Sequence, residues 1–149
     1  MTHLKPAILT LSRDLPASCE SLWNVLTTPS LMRRWMLIPG VFVPDAPLAL
    51  GSRIEWQNDN GTPYLIGTVI ECLQKHKLAV ELSDRSWSRP TRPGEVVWAF
   101  TLTPHSSGTR LDYRLGDLAI DADAKDWLAT FEAADEPARL AKVIEEAFR

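Results

Sequence analysis

The residues best suited to chemistry in this chain are aromatic. Six tryptophans, Trp23, Trp35, Trp56, Trp87, Trp98 and Trp127, are spread over its 149 residues. Each ring offers a large apolar face and a single N–H, which suits the wall of a pocket for a hydrophobic ligand with few polar handles. The same rings fill ordinary cores, and Trp23 and Trp98 sit in clean periodic patterns that favour that role. Trp35 stands in "PSLMRRWM", a short helical segment that also carries Met32 and Met36 and runs into Pro39-Gly40. These three side chains either plug the core or wall a cavity. An empty apolar cavity of roughly 300 Å³ would cost about 7 kcal/mol at about 24 cal/mol per Å³, against a total stability of about 5–15 kcal/mol. A large dry void is therefore untenable, and a cavity here must be filled by side chains or occupied by ligand or water.

Titratable residues give a second set. Alternation puts Arg53, Glu55, Glu71, Glu81, Asp112 and Arg114 on strand faces, where they read as a solvated outer layer of cross-strand pairs. An acid among them turned inward would have a raised pKa and become a candidate general acid or base. Asp112 and Glu95 could also pair with other acids, the arrangement that paired-carboxylate chemistry needs. "SDRSWSRPTRPGE" gathers Arg85, Arg89 and Arg92 around Trp87, a basic and aromatic loop that fits a cavity mouth or a partner surface. His3, His76 and His105 have no HxxxH or HExxH spacing, and Cys19 and Cys72 no CxxC spacing, so neither a metal site nor a bound cofactor is expected. Serine-elbow, Walker and dinucleotide fingerprints are absent from the sequence.

Charge and hydropathy narrow the partners. Sixteen basic residues against nineteen acidic ones leave a net charge of −3, with no broad basic footprint for nucleic acid. Residues 117–136 hold seven acids and one base, either an acidic contact face or the charged side of a helix. No apolar run is long enough to span a membrane, and "MTHLKPAILTLSRDLP" has neither an apolar h-region nor a small-residue cleavage site. With two isolated thiols, a reducing cytoplasm is the expected location.

These residues need elements to hold them. The length predicts a single domain over 1–149 with one core. "AILTLSRDL" alternates as a half-buried strand, and Ser18 can cap a helix carrying Leu22, Trp23, Val25 and Leu26. Thr28 and Pro29 suit the cap and first position of the next short helix. Asn60-Gly61 is a strong hairpin signal between two strands, and "KLAVEL", "EVVWAFTLTP" and "HSSGTRLDYRL" continue an antiparallel meander. Asp121 can cap a final helix bearing Ala124, Trp127, Leu128 and Phe131. Pro137 predicts a break, with Asp135 or Glu136 restarting a second helix that turns Leu140, Val143, Ile144 and Phe148 inward.

Three stretches carry a resemblance. "LPASCESLWNVLTTPSLMRRWM", "GTVIECLQKHKLAVEL" and "VVWAFTLTPHSSGTRLDYRL" resemble the START-like (SRPBCC) superfamily, in its branch of heat-shock ATPase activator homologues and polyketide cyclase-like proteins. The matching places are Thr27, Pro29 and Trp35, then Gly67, Val69, Glu71, Lys77 and Leu78, then Val96, Trp98, Phe100, Leu102, Pro104, Gly108, Thr109 and Leu111. The resemblance implies an α+β helix-grip fold: a curved antiparallel sheet of about six or seven strands, two short helices after the first strand, and a long C-terminal helix. It also implies a cavity between sheet and helix.

The reading that follows is binding of a small hydrophobic molecule, with walls from Met32, Trp35, Trp56, Trp98, Tyr113, Trp127 and Phe131. The first alternative is a protein-interaction module of the heat-shock ATPase activator type, with a collapsed cavity and contacts through the arginine loop and the acidic helix. A homodimer fits either reading. The second alternative is a cyclase- or hydrolase-like enzyme acting on a hydrophobic substrate, in which positioning supplies most of the rate and one buried acid moves protons.

Overall fold

The computed structural model describes residues 5–147, so His3 and Phe148 lie outside the described residues. In chain order the elements are β1 (Leu9–Leu15), α1 (Cys19–Thr27), α2 (Pro29–Trp35), β2 (Val41–Val43), β3 (Arg53–Gln57), β4 (Pro63–Leu73), β5 (Lys77–Asp84), β6 (Val97–His105), β7 (Gly108–Gly116), α3 (Ala124–Ala134) and α4 (Glu136–Ala147). The seven strands form one open sheet in the order β1-β7-β6-β5-β4-β3-β2. Every neighbouring pair is antiparallel, which is the expected α+β helix-grip architecture.

Local chemistry explains most boundaries. Ser18 accepts a hydrogen bond from the Ser21 N–H and caps α1, as its position predicts. Thr28 does not cap α2 with its side chain; its hydroxyl turns back to Asn24, and Pro29 occupies the first turn, where no N–H partner is needed. The turn after β3 is organised by Asn58, whose side-chain oxygen accepts from the backbone N–H groups of Asn60 and Thr62. Gly61 sits there at φ 82°, in the left-handed region that favours glycine. The β2 strand leaves no signal in the sequence, because Val41-Phe42-Val43 is too short to display a period.

The apolar faces of strands and helices meet in one cluster. Trp98, Phe100, Leu102, Leu111, Tyr113 and Leu115 rise from β6 and β7, and Leu22, Leu26, Met32, Trp35, Leu140 and Val143 descend from the helices. On the opposite sheet face the charged strand residues pair across and along strands, as Arg53–Glu55 at 3.4 Å and Lys77–Glu71 at 3.4 Å show. None of the strand acids Glu55, Glu71, Glu81 and Asp112 is buried. Asp112 accepts from Ser12 and Arg110 and Glu95 binds Arg89, so neither belongs to a carboxylate pair.

The C-terminal helix breaks at Asp135 and restarts at Glu136, where Pro137 predicts it. Asp135 takes a left-handed conformation, φ 49° and ψ 68°, closing α3, and its carboxylate then accepts the Ala138 N–H at 3.2 Å to cap α4. Pro137 falls in the first turn of α4, where a missing N–H costs nothing. Asp121 does not cap α3, which starts at Ala124; Asp121 instead binds the Asp123 N–H at 2.7 Å.

Candidate ligand cavity and its buried carboxyl

A cavity of about 90 Å³ opens between β3–β6, the β5–β6 connection and α3. One water needs roughly 10–15 Å³ on such a measure, so the space exceeds a packing defect. Left dry, it would cost about 2 kcal/mol at about 24 cal/mol per Å³, well within what a domain of this size carries.

Sequence irregularities shape its walls. Trp56 pairs with Leu65 and Gln57 with Pro63, so Tyr64 is the extra residue of a bulge. A bulge re-aims side chains, and here the adjacent Tyr64 and Leu65 both reach the cavity, which strict alternation would forbid. Gly67 lies beneath the Trp56 ring: a Cβ there would stand 3.2 Å from that ring and 2.7 Å from Val80. The Trp56 N–H donates to the Ile38 carbonyl at 2.8 Å, which fixes the indole edge.

Trp56 and Trp98 form a corner, centroids 6.4 Å apart and planes at 71°. Across the space, α3 contributes Trp127 and Phe131, whose rings pair at 6.3 Å. Trp127 keeps 38% of its surface exposed and so stands at the mouth. Trp87 closes another side, its N–H donating to Asp121 at 2.8 Å and so tying the β5–β6 connection to the segment before α3.

The sequence-derived candidates thus divide. Trp56, Trp98, Trp127 and Phe131 line the cavity together with Trp87. Met32 and Trp35 are fully buried behind it: the Trp35 N–H donates to the Val25 carbonyl at 2.9 Å, and its ring packs on Trp98 and Phe100 at 5.7 and 5.6 Å. Of that short segment, Met36 reaches the cavity wall. Tyr113 also sits behind, edge-on to Phe100 at 5.4 Å. Arg85, Arg89 and Arg92 are exposed away from the walls, with Arg89 held by Glu95 at 2.6 and 2.9 Å. That hydrogen bond, with one from the Arg92 N–H, draws the Glu95 carboxyl down to about 2.

The residue that sequence reasoning missed is Glu136. It is 1% exposed, yet it is among the residues that line the cavity. One oxygen accepts from the Tyr113 hydroxyl at 2.6 Å and the Trp98 N–H at 3.1 Å, and the other accepts from the Leu37 N–H at 3.0 Å. Burial pushes its pKa above the ordinary carboxylate range, while the three donors and the nearby Arg139 partly offset that rise. Burial and the same carboxyl push the Tyr113 phenol upward, so it serves as a hydrogen-bond donor rather than a base. The one signal for Glu136 was its place beside the helix break: after a left-handed residue, the first residue of α4 turns toward the sheet.

An open antiparallel sheet folded against a bent C-terminal helix, with a cavity between them, defines the START-like class. Within it, the chain belongs to the family of Activator of Hsp90 ATPase homolog 1-like proteins, whose model matches residues 16–142. No curated protein matches the chain in sequence. Among solved structures it is similar to protein MLL2253 from Mesorhizobium loti, with TM-score 0.70, 22% identity, and coverage of 93% of this chain and 97% of that one. It is also similar to the Aha1 dimer from Colwellia psychrerythraea, with TM-score 0.68, 14% identity and coverage of 93% and 96%. DynU16, from the dynemicin biosynthetic locus, matches with TM-score 0.66 and 17% identity over 95% of this chain and 48% of its own. At these identities the likeness is one of fold. Among the described residues, no helix is long and apolar enough to cross a membrane.

Proposed function

We propose that this protein binds a small hydrophobic ligand in the cavity between the sheet and α3, with Glu136 as its buried polar contact. The observation that carries this reading is the carboxyl itself. A buried acid costs stability, and a cavity wall that retains one amid aromatic rings has the composition of a ligand site, apolar with few placed polar groups. Filling that space with one more apolar side chain would be the simpler route to stability.

Native mass spectrometry of the freshly purified protein, beside a denatured control, tests the reading. The expected result is a bound small molecule that is lost on denaturation and absent from Leu65→Trp, which fills the cavity. An adduct of equal abundance on that variant would contradict the reading. So would a bare mass combined with no thermal stabilisation by indole.

A second reading, a protein-interaction module, draws on the family match and on α3. No residue of that helix is fully buried, and Trp127 is exposed upon it. A contact through α3 would also suit a homodimer, the state in which the Colwellia relative was solved. Trp127→Ala would then weaken self-association in analytical ultracentrifugation, an effect that ligand binding alone does not predict.

A further inference from the structure

The charges around the cavity have one sign. Three carboxylic acids line it, Asp84, Asp121 and Glu136, and no lysine, arginine or histidine does. Among the described residues none of the three belongs to a salt bridge. Asp84 is occupied by the Ser86 N–H and hydroxyl, and Asp121 by the Trp87 and Asp123 N–H groups, all of them neutral donors. The nearest cation to Glu136 on α4 is Arg139, but its guanidinium donates to the Trp35 and Met36 carbonyls at 2.8 and 3.4 Å. Arg13, from β1, is paired with Asp135 at 2.8 Å.

The rings have the complementary property. Trp56, Tyr64, Trp87, Trp98, Trp127 and Phe131 surround the same space. Aromatic faces carry negative partial charge and attract cations, most strongly where water is displaced. The three donors that converge on Glu136 also form the solvation shell of a carboxylate at the N-terminus of α4, an end that favours negative charge. An anionic ligand would meet three acids, and a purely apolar one would leave the Glu136 oxygens without a partner of opposite charge.

From this we infer that the cavity selects an organic cation: an apolar, preferably aromatic body bearing an ammonium group that sits against Glu136 within the aromatic walls. The inference rests on the ligand-binding reading and narrows it to a ligand class. Transfer of an ammonium from water is costly, and a carboxylate held in place by neutral donors is the group that offsets that cost.

Isothermal titration calorimetry with three probes of similar shape tests it: 2-phenylethylammonium, neutral propylbenzene and anionic 3-phenylpropanoate. The wild-type protein should bind the ammonium at least about tenfold more tightly than propylbenzene, with the anion weakest. In Glu136→Gln the ratio of ammonium to propylbenzene affinity should collapse toward one. Asp121→Asn, whose amide oxygen can still accept the Trp87 N–H, should lower that ratio by a smaller factor. The comparison among probes needs only wild-type protein, so it stands even where a variant fails to fold. Propylbenzene or the anion binding as tightly as the ammonium would overturn the inference while leaving the ligand-binding reading intact. Binding of none of the three would overturn this inference, and together with a bare native mass and no stabilisation by indole would overturn the ligand-binding reading as well.

Discussion

The two halves of the C-terminal helix have nearly the same length, eleven residues in α3 and twelve in α4, and opposite relations to the core. Within α4, Leu140, Val143 and Ile144 are buried together with Glu136 and Pro137, whereas α3 buries no residue. Of the α3 side chains, Trp127 and Phe131 face the cavity, while Leu128 and Phe131 pack against the core only half-buried. One helix thus anchors the fold and the other walls a site. The break at Asp135 separates the two roles, because an uninterrupted helix would carry one packing geometry through both.

The sharpest way to break this contrast is to truncate each half. Leu140 is fully buried, and Leu140→Ala should lower the unfolding free energy by about 2–5 kcal/mol in urea denaturation. If that substitution proves nearly neutral, α4 is not the anchor.

Glu136 joins the halves, and its substitution should give the next largest effect. In Glu136→Gln the side-chain nitrogen would face the Leu37 N–H or displace it, a loss of about 1–3 kcal/mol at low pH. The pH dependence has a definite sign. A carboxyl raised above its ordinary 4.5 holds its proton more tightly when folded. Its contribution is therefore complete below that value and is lost as pH rises through the folded pKa. The wild-type stability should fall relative to the variant over that window, narrowing the gap between them. A gap that widens with pH would mean that the donors outweigh burial.

Asp135 sharpens the account of the break itself. Its φ of 49° lies where alanine is strained and glycine is not, and both Asp135→Ala and Asp135→Gly lose the Arg13 pair and the Ala138 cap. The alanine variant should be less stable than the glycine variant by about 1 kcal/mol. The smallest effect on stability belongs to Trp127→Ala, about 1 kcal/mol or less given the exposure of that ring, although ligand affinity should fall severalfold.

Much of this was legible in the sequence where a period or a breaker was present. Alternation located β1, the Asn60-Gly61 turn signal placed β3 and β4 on either side of it, the later strands followed as a meander, Ser18 marked the start of α1, and Pro137 announced the divided helix. The site was harder to read, since a wall residue and a core residue obey the same periodicity. Trp98 reads as a core position and Trp35 as either core or wall; the structure buries Trp35 behind Trp98, and it is Trp98 that reaches the cavity. The serine, arginine and proline around Trp87 read as an exposed loop aromatic, whereas the structure half-buries it as a wall with its N–H on Asp121. Glu136 was hidden for a physical reason. Alternation exposes an inward acid on a strand, whereas an acid at a helix start looks like a cap until the direction of the preceding turn is known.

The most direct measurement is a heteronuclear NMR titration with indole, following the six tryptophan side-chain N–H signals. Trp56, Trp87, Trp98 and Trp127 line the cavity, while Trp35 is buried behind it and Trp23, a residue of α1, is not among its walls. The account predicts saturable shifts for the first four and little change for the last two. Shifts spread evenly over all six, or confined to Trp23 and Trp35, would contradict it.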